Sequence, residues 1–216
     1  MILVVSASLR AESNSRIMAR EAHRVLSADG TPSSLLDLRD HPLPLCDAGD
    51  SFEHPNSVLV KGLLEEVRGV IVATPIYNYD ANAAVKNLVE MTCGAWDNKV
   101  VGFLCAAGGM GSYMSIMPLA NSLMLDFRSV IVPRFAYAME GAFKDGALAD
   151  PAVTRRVGEV ARYTARLARA LEAIPTEGLS SGSLSPSSLP AASRRRAPRR
   201  RGWPPPPQRS AGPCPV

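Results

Sequence analysis

No stretch of the sequence approaches the roughly 18 consecutive uncharged apolar residues that a membrane-spanning helix needs, so a helical membrane protein is not expected. Cysteine is scarce: Cys46, Cys93, Cys105 and Cys214 stand far apart, with no C-x-x-C pair. That spacing argues against a disulfide framework and against a zinc site, and it makes a reducing cytoplasm the expected location. No basic stretch precedes the opening Met-Ile-Leu-Val-Val, which therefore does not read as a secretory signal. The glycine pattern G-x-G-x-x-G is missing after the first apolar run, and G-x-x-x-x-G-K-[S/T] is missing throughout. These absences weigh against the usual dinucleotide-binding fold and against a nucleotide triphosphatase.

What is present suits one globular domain with something left over: 216 residues, 46% apolar and 20% charged. The net charge of +4 belongs to one end of the chain. Residues 175–216 carry seven arginines against the single acid Glu177, whereas residues 1–174 hold 17 basic and 19 acidic residues. The body is thus mildly acidic, and charge gives no reason to expect a nucleic-acid partner for it. The tail also holds 10 of the 18 prolines, a serine-rich stretch and the run Pro204–Pro207. A segment so poor in apolar surface cannot offset the entropy of ordering, and it reads as disordered with polyproline character. Its arginines could serve an anionic partner such as RNA, DNA or a membrane surface; a solvated extension is the plainer reading.

Residues 1–174 alternate between strand and helix patterns. Runs at 2–5 and 99–105 read as strands buried on both faces, 69–73 as the strongest central strand, 34–38 as a weaker strand and 129–132 as a last short one. Between and after them, 15–26, 58–67, 82–92, a segment ending near Phe127 and 151–171 carry apolar residues at helical spacing. Pro118 requires the fourth of these helices to start late or kink, and Pro151 opens the last. Five strands alternating with five helices predict an α/β fold with a flavodoxin-like doubly wound five-stranded parallel sheet, helices on both faces, and the disordered C-terminal tail appended.

In such sheets ligands bind beyond the carboxyl ends of the strands, where strand order reverses. Three loops there carry unusual residues. The first includes Ser8, Arg10, Ser13, Asn14 and Ser15, which set hydroxyls, an amide and a guanidinium at a helix start. Free N–H groups at a helix N-terminus and the fork of an arginine both suit phosphate oxygens, so the loop reads as a terminal-phosphate site. Any one of these residues could also be an ordinary helix cap. The second loop, with Pro75, Ile76, Tyr77 and Asn78, is stiffened by proline and offers tyrosine walls to a flat ligand. The third, with Gly108 and Gly109, permits close backbone approach to a ring. None of the three holds a nucleophile with its base, a metal cluster or a carboxylate pair.

Over residues 1–174 the motifs resemble those of the NADPH-dependent FMN reductases of the flavodoxin-like superfamily. Ser8-Leu9-Arg10-x-x-Ser13-Asn14-Ser15 is similar to the family's phosphate loop, Pro75-Ile76-Tyr77-Asn78 with Val85-Lys86-Asn87-Leu88 to its ring loop, and Ala107-Gly108-Gly109-Met110-Gly111 to its third flavin loop. Ala7 stands where the family often has glycine, and residues 80–84 depart from its pattern, which bears on the substrate face more than on the flavin.

The resemblance implies FMN as cofactor, NADPH or NADH as co-substrate, and a small-molecule acceptor (a quinone, azo compound, metal oxyanion or flavin). Ser8, Arg10, Ser13, Asn14 and Ser15 would hold the phosphate. Pro75, Ile76, Tyr77 and Asn78 would line the ring and offer N–H groups to its N5 and O4 edge, and Gly108 and Gly109 would approach its pyrimidine edge. Hydride would pass by way of flavin N5 in a ping-pong sequence, with no catalytic side chain required. His23, His41, His54, Cys93 and Cys105 are accordingly not expected to act. A homodimer or tetramer is implied, and the apolar residues on more than one face of helix 82–92 point the same way. An acidic electron carrier of the same fold, or a binding protein that has lost the flavin, are the rival readings.

Overall fold

The computed structural model describes residues 1–172; the expectations for the tail, and the domain boundary drawn at 174, fall outside them. The elements run β1 (Ile2–Ser6), α1 (Asn14–Ala28), β2 (Ser33–Asp37), α2 (Pro55–Glu65), β3 (Gly69–Tyr77), β4 (Asp80–Ala81), α3 (Ala83–Thr92) and β5 (Val100–Ala107). They continue with α4 (Met117–Phe127), β6 (Val130–Ile131), β7 (Ala136–Met139), β8 (Phe143–Lys144), β9 (Ala147–Leu148) and α5 (Pro151–Glu172). The parallel sheet is ordered β2-β1-β3-β5-β6, with β7 lying beyond β6 along the same side of β5. This is the doubly wound order predicted, and its reversal point lies between β1 and β3.

The sheet is buried on both faces because its apolar runs do not alternate with polar residues. Leu3, Val5, Val70, Val72, Val101 and Phe103 face α2, α3 and α4, with Trp96 filling the layer beneath. Ile2, Val4, Ile71 and Leu104 face α1 and α5, where Met18, Ala22, Leu26, Val157, Val160 and Ala161 pack. Gly102 lets α5 come close: a Cβ built there would sit 2.5 Å from Thr164 Oγ1 and 2.9 Å from Val160 Cγ1.

Three elements differ from the sequence expectation. β3 runs on to Tyr77, so Pro75, Ile76 and Tyr77 are strand residues rather than loop. Pro75 pairs with Ala106 in the ladder at the open carboxyl end of the sheet. The fifth strand is broken in two. β6 pairs Val130 with Val100 and β7 pairs Ala136 with Leu104, so the stretch around Pro133 and Arg134 (φ 61°) holds two more residues than the strand opposite. Proline lacks an N–H for the ladder, which is why the run ends early and resumes. Finally, β8 and β9 form a small hairpin turning at Asp145 (φ 49°) and Gly146 (φ 74°). As the composition of α4 required, Pro118 sits in that helix's first turn.

Candidate functional site

At the carboxyl ends of β1, β3 and β5 lies a cleft of about 870 Å³. Arg10, Ser13, Asn14, Ser15, Pro75, Ile76, Tyr77 and Gly108 all line it, so the structure brings eight of the eleven sequence-predicted residues together. Ser8, Asn78 and Gly109 stand just outside the lining. Ser8 is buried under the first loop, and its Oγ accepts from Arg10 N at 3.3 Å. Asn78 (φ 51°) and Tyr79 (φ 62°) form the two-residue turn between β3 and β4, with both φ values positive as a type I′ hairpin turn demands. Gly109 is the next residue beyond Gly108, and its carbonyl accepts from the Tyr137 hydroxyl.

The first end of the cleft is rich in donors. Ser13 caps α1, its Oγ accepting from Arg16 N at 3.4 Å and pairing with Ser15 Oγ at 2.9 Å. Among the described residues, the backbone N–H groups of 11–15 find no protein acceptor. Arg10 is exposed on the cleft wall. Uncommitted amides at a helix start, joined by serine, asparagine and a guanidinium, form an anion-binding set. The opposite end is lined by the ends of β3 and β5, with Glu140 beyond them. Ile76 and Ala106 are almost buried and the glycine loop closes the edge; a Cβ built on Gly108 or Gly109 would meet nothing within 4 Å, which leaves room for a ring. A donor-rich end and an end built of strand termini and glycines, joined in one cleft, fit the FMN that the motifs imply.

Two residues that brace the site were missed in the sequence. Arg16, read there only as part of a helix, is buried and binds Ser8 O, Arg10 O, Ala11 O and the Asp37 carboxylate. Asn82 stands where a helix cap belongs but makes no capping bond. Its Nδ2 donates to Ala7 O at 2.7 Å and its Oδ1 accepts from Thr74 Oγ1 at 3.0 Å, which ties the first loop to β3. Arginine is common on helices and asparagine at their caps, so only their reach across the chain marks them. On the far side, Tyr137 hydrogen-bonds Ser112 at 2.7 Å and meets Tyr113 edge to face, and Tyr79 leans on Gly111.

The groups set aside as catalysts lie elsewhere. His54 accepts from Asn56 N at the start of α2, and His23 pairs with Ser33 Oγ. Burial pushes the Cys105 thiol far up, so it is packed rather than nucleophilic, and burial raises Cys93 as well. Among the described residues, no group of three or more His, Cys, Asp or Glu converges, and no helix is long and apolar enough to cross a membrane.

A family model described as NADPH-dependent FMN reductase matches residues 1–144. The chain belongs to this family. The reductase is an FMN-dependent oxidoreductase that takes its electrons from NAD(P)H. Among solved structures it is similar to an oxidoreductase from Corynebacterium diphtheriae at 19% identity and a TM-score of 0.64, over 78% of this chain and 96% of that one. FerB, a flavoenzyme NAD(P)H:(acceptor) oxidoreductase from Paracoccus denitrificans, aligns at 17% identity and 0.65, over 78% and 97%. RosB with bound 8-demethyl-8-formylriboflavin-5'-phosphate aligns at 15% identity and 0.65, over 94% and 95%. At these identities the likeness is one of fold. No curated protein matches the chain.

Proposed function

We propose that the reductase passes electrons from NADPH or NADH to a small soluble acceptor, such as a quinone, an azo compound, a metal oxyanion or a free flavin. Donor and acceptor use the same cleft in turn. When bound, FMN supplies the redox chemistry, accepting hydride from a nicotinamide and returning electrons to the acceptor. The chain's own residues bind and orient. Arg10, Ser13, Asn14 and Ser15 take the phosphate, with Ser8 bracing the loop from beneath. Pro75 and Ile76, buried and held in the ladder, would shield the ring from water, while Tyr77 and Asn78 would stand at its reactive edge. Gly108 and Gly109 let the backbone approach the other edge.

The observation that carries this reading is the polarity of the cleft: free amides and a guanidinium at one end, strand ends and glycines at the other. A single open face cannot hold donor and acceptor together, so the kinetics should be ping-pong. Residues 1–174 form the reductase domain in this proposal, and 175–216 are an appended tail that the chemistry does not need; a cytoplasmic location follows from the cysteine usage.

A homodimer or tetramer belongs to the same reading, but its support moves. Val85, Leu88, Val89 and Met91 of α3 are buried within the chain, whereas Met110, Tyr113, Met114, Met117 and Leu125 in and before α4 are exposed. That apolar surface is what a second copy would cover. Light scattering at micromolar concentration should give at least twice the chain mass, and a monomer would defeat the assembly.

For the reaction, anaerobic NADPH or NADH should bleach the flavin absorbance in a stopped-flow mixer, and a quinone should restore it. Parallel double-reciprocal plots are expected. Intersecting plots would establish a ternary complex and sink the shared face. Replacing Tyr77 should alter rates and donor affinity more than FMN retention, because the phosphate end anchors the cofactor separately.

A further inference from the structure

Arg16 lies in the first turn of α1 with only 6% of its surface exposed. A guanidinium carries five N–H donors, and here each has an acceptor. Nη1 donates to Arg10 O and Ala11 O, both at 2.7 Å, and Nη2 to Ser8 O at 3.0 Å and Asp37 Oδ1 at 3.3 Å. Nε donates to Asp37 Oδ2. Three carbonyls of one loop therefore point at one side chain. Asp37 ends β2, which pairs in register with β1, so the anchor that holds the guanidinium is itself held by the sheet.

We infer that Arg16 is the positioning residue of the phosphate end: by gathering the carbonyls of Ser8, Arg10 and Ala11 it turns the loop's uncommitted amides and the Arg10 side chain toward the cleft before any ligand arrives. A peptide unit whose C=O is tied inward presents its N–H outward, because the two groups point in opposite directions across a planar unit. The charge of Arg16 is met by Asp37, so Arg10 is left as the loop's cation for a phosphate. A lysine could keep the pair with Asp37, but three donors on one nitrogen cannot span three carbonyls and a carboxylate. The inference deepens the proposal that this loop binds the FMN phosphate and rests on it.

The test titrates FMN and riboflavin separately into the apoprotein, following quenching of flavin fluorescence, for wild type and Arg16→Lys. Wild type should prefer FMN clearly. Arg16→Lys should keep its fold by circular dichroism and bind FMN at least about tenfold more weakly, while riboflavin affinity changes by less than about twofold. Lysine restoring the full FMN preference would show that charge alone matters and would overturn the positioning role. So would an equal loss for both ligands, which means general damage. A wild type that does not distinguish the two ligands would defeat the phosphate reading itself, a different failure. Should Arg16→Lys not fold, backbone order parameters of residues 9–13 in wild-type apoprotein decide the matter. Values at or above about 0.6 support a loop shaped in advance, and lower values overturn it.

Discussion

Asn82→Ala should loosen the junction between the first loop of the cleft and β3. Asn82 is 7% exposed, and its partners Ala7 and Thr74 are fully buried. Without the amide, Ala7 O is an orphaned carbonyl away from water, at a cost of about 1–3 kcal/mol. The Thr74 hydroxyl suffers less, since its one proton can turn wholly to Pro75 O, 3.1 Å away. No helix-capping contribution is lost, because Asn82 makes no capping bond. The sum is about 2 kcal/mol, which for a domain of this size lowers Tm by roughly 4–8 °C. Thermal denaturation of the apoprotein reads this directly. Asn82→Asp separates the two roles the residue could play. Aspartate is as good a helix cap as asparagine, yet here it would set a carboxylate oxygen against Ala7 O. The aspartate variant should be no more stable than the alanine one. If it melts with wild type, Asn82 is a cap after all and the bridge from Ala7 to Thr74 contributes nothing.

Arg10→Ala should weaken FMN by about 1.5–3 kcal/mol, on the order of ten- to a hundredfold, and leave riboflavin nearly unchanged; equal losses would mean that Arg10 serves the fold. Gly102→Ala should destabilise by about 1–3 kcal/mol in urea titration, since its new methyl would strike Thr164 and Val160 beneath α5. An unchanged midpoint would show that α5 can withdraw without cost. Truncation after Ile174 should leave Tm and flavin content within error of the full chain, a large loss in either showing that the tail supports the domain.

Much of this architecture was legible because parallel strands buried on two faces need unbroken apolar runs, and 2–5, 69–73 and 100–105 are such runs. The order of the sheet followed from the alternation of strand and helix, and the placing of the loops followed from that order. Legibility failed where proline and short elements intervene. Pro133 hid the continuation of the last strand into Ala136–Met139, and Pro75 disguised the final residues of β3 as loop. The Asp145-Gly146 pair is a hairpin signal, but its flanking strands of two residues each are too short to show periodicity. At the site, the five residues whose own chemistry suits phosphate stood out, and four of them, Arg10, Ser13, Asn14 and Ser15, line the cleft. Arg16 and Asn82 did not, because what they do depends on backbone carbonyls brought to them by folding, and carbonyls leave no trace in a sequence.

The break in the last strand bears on how copies of this protein can meet. A sheet edge recruits foreign strands when it offers a long, regular row of unpaired N–H and C=O groups. On this side the row is cut into segments of two and four residues, separated by a proline with no N–H and by Arg134 in a left-handed conformation. A strand from another chain would lose its register within a few residues. Edge-to-edge growth into fibres is thereby discouraged on this side.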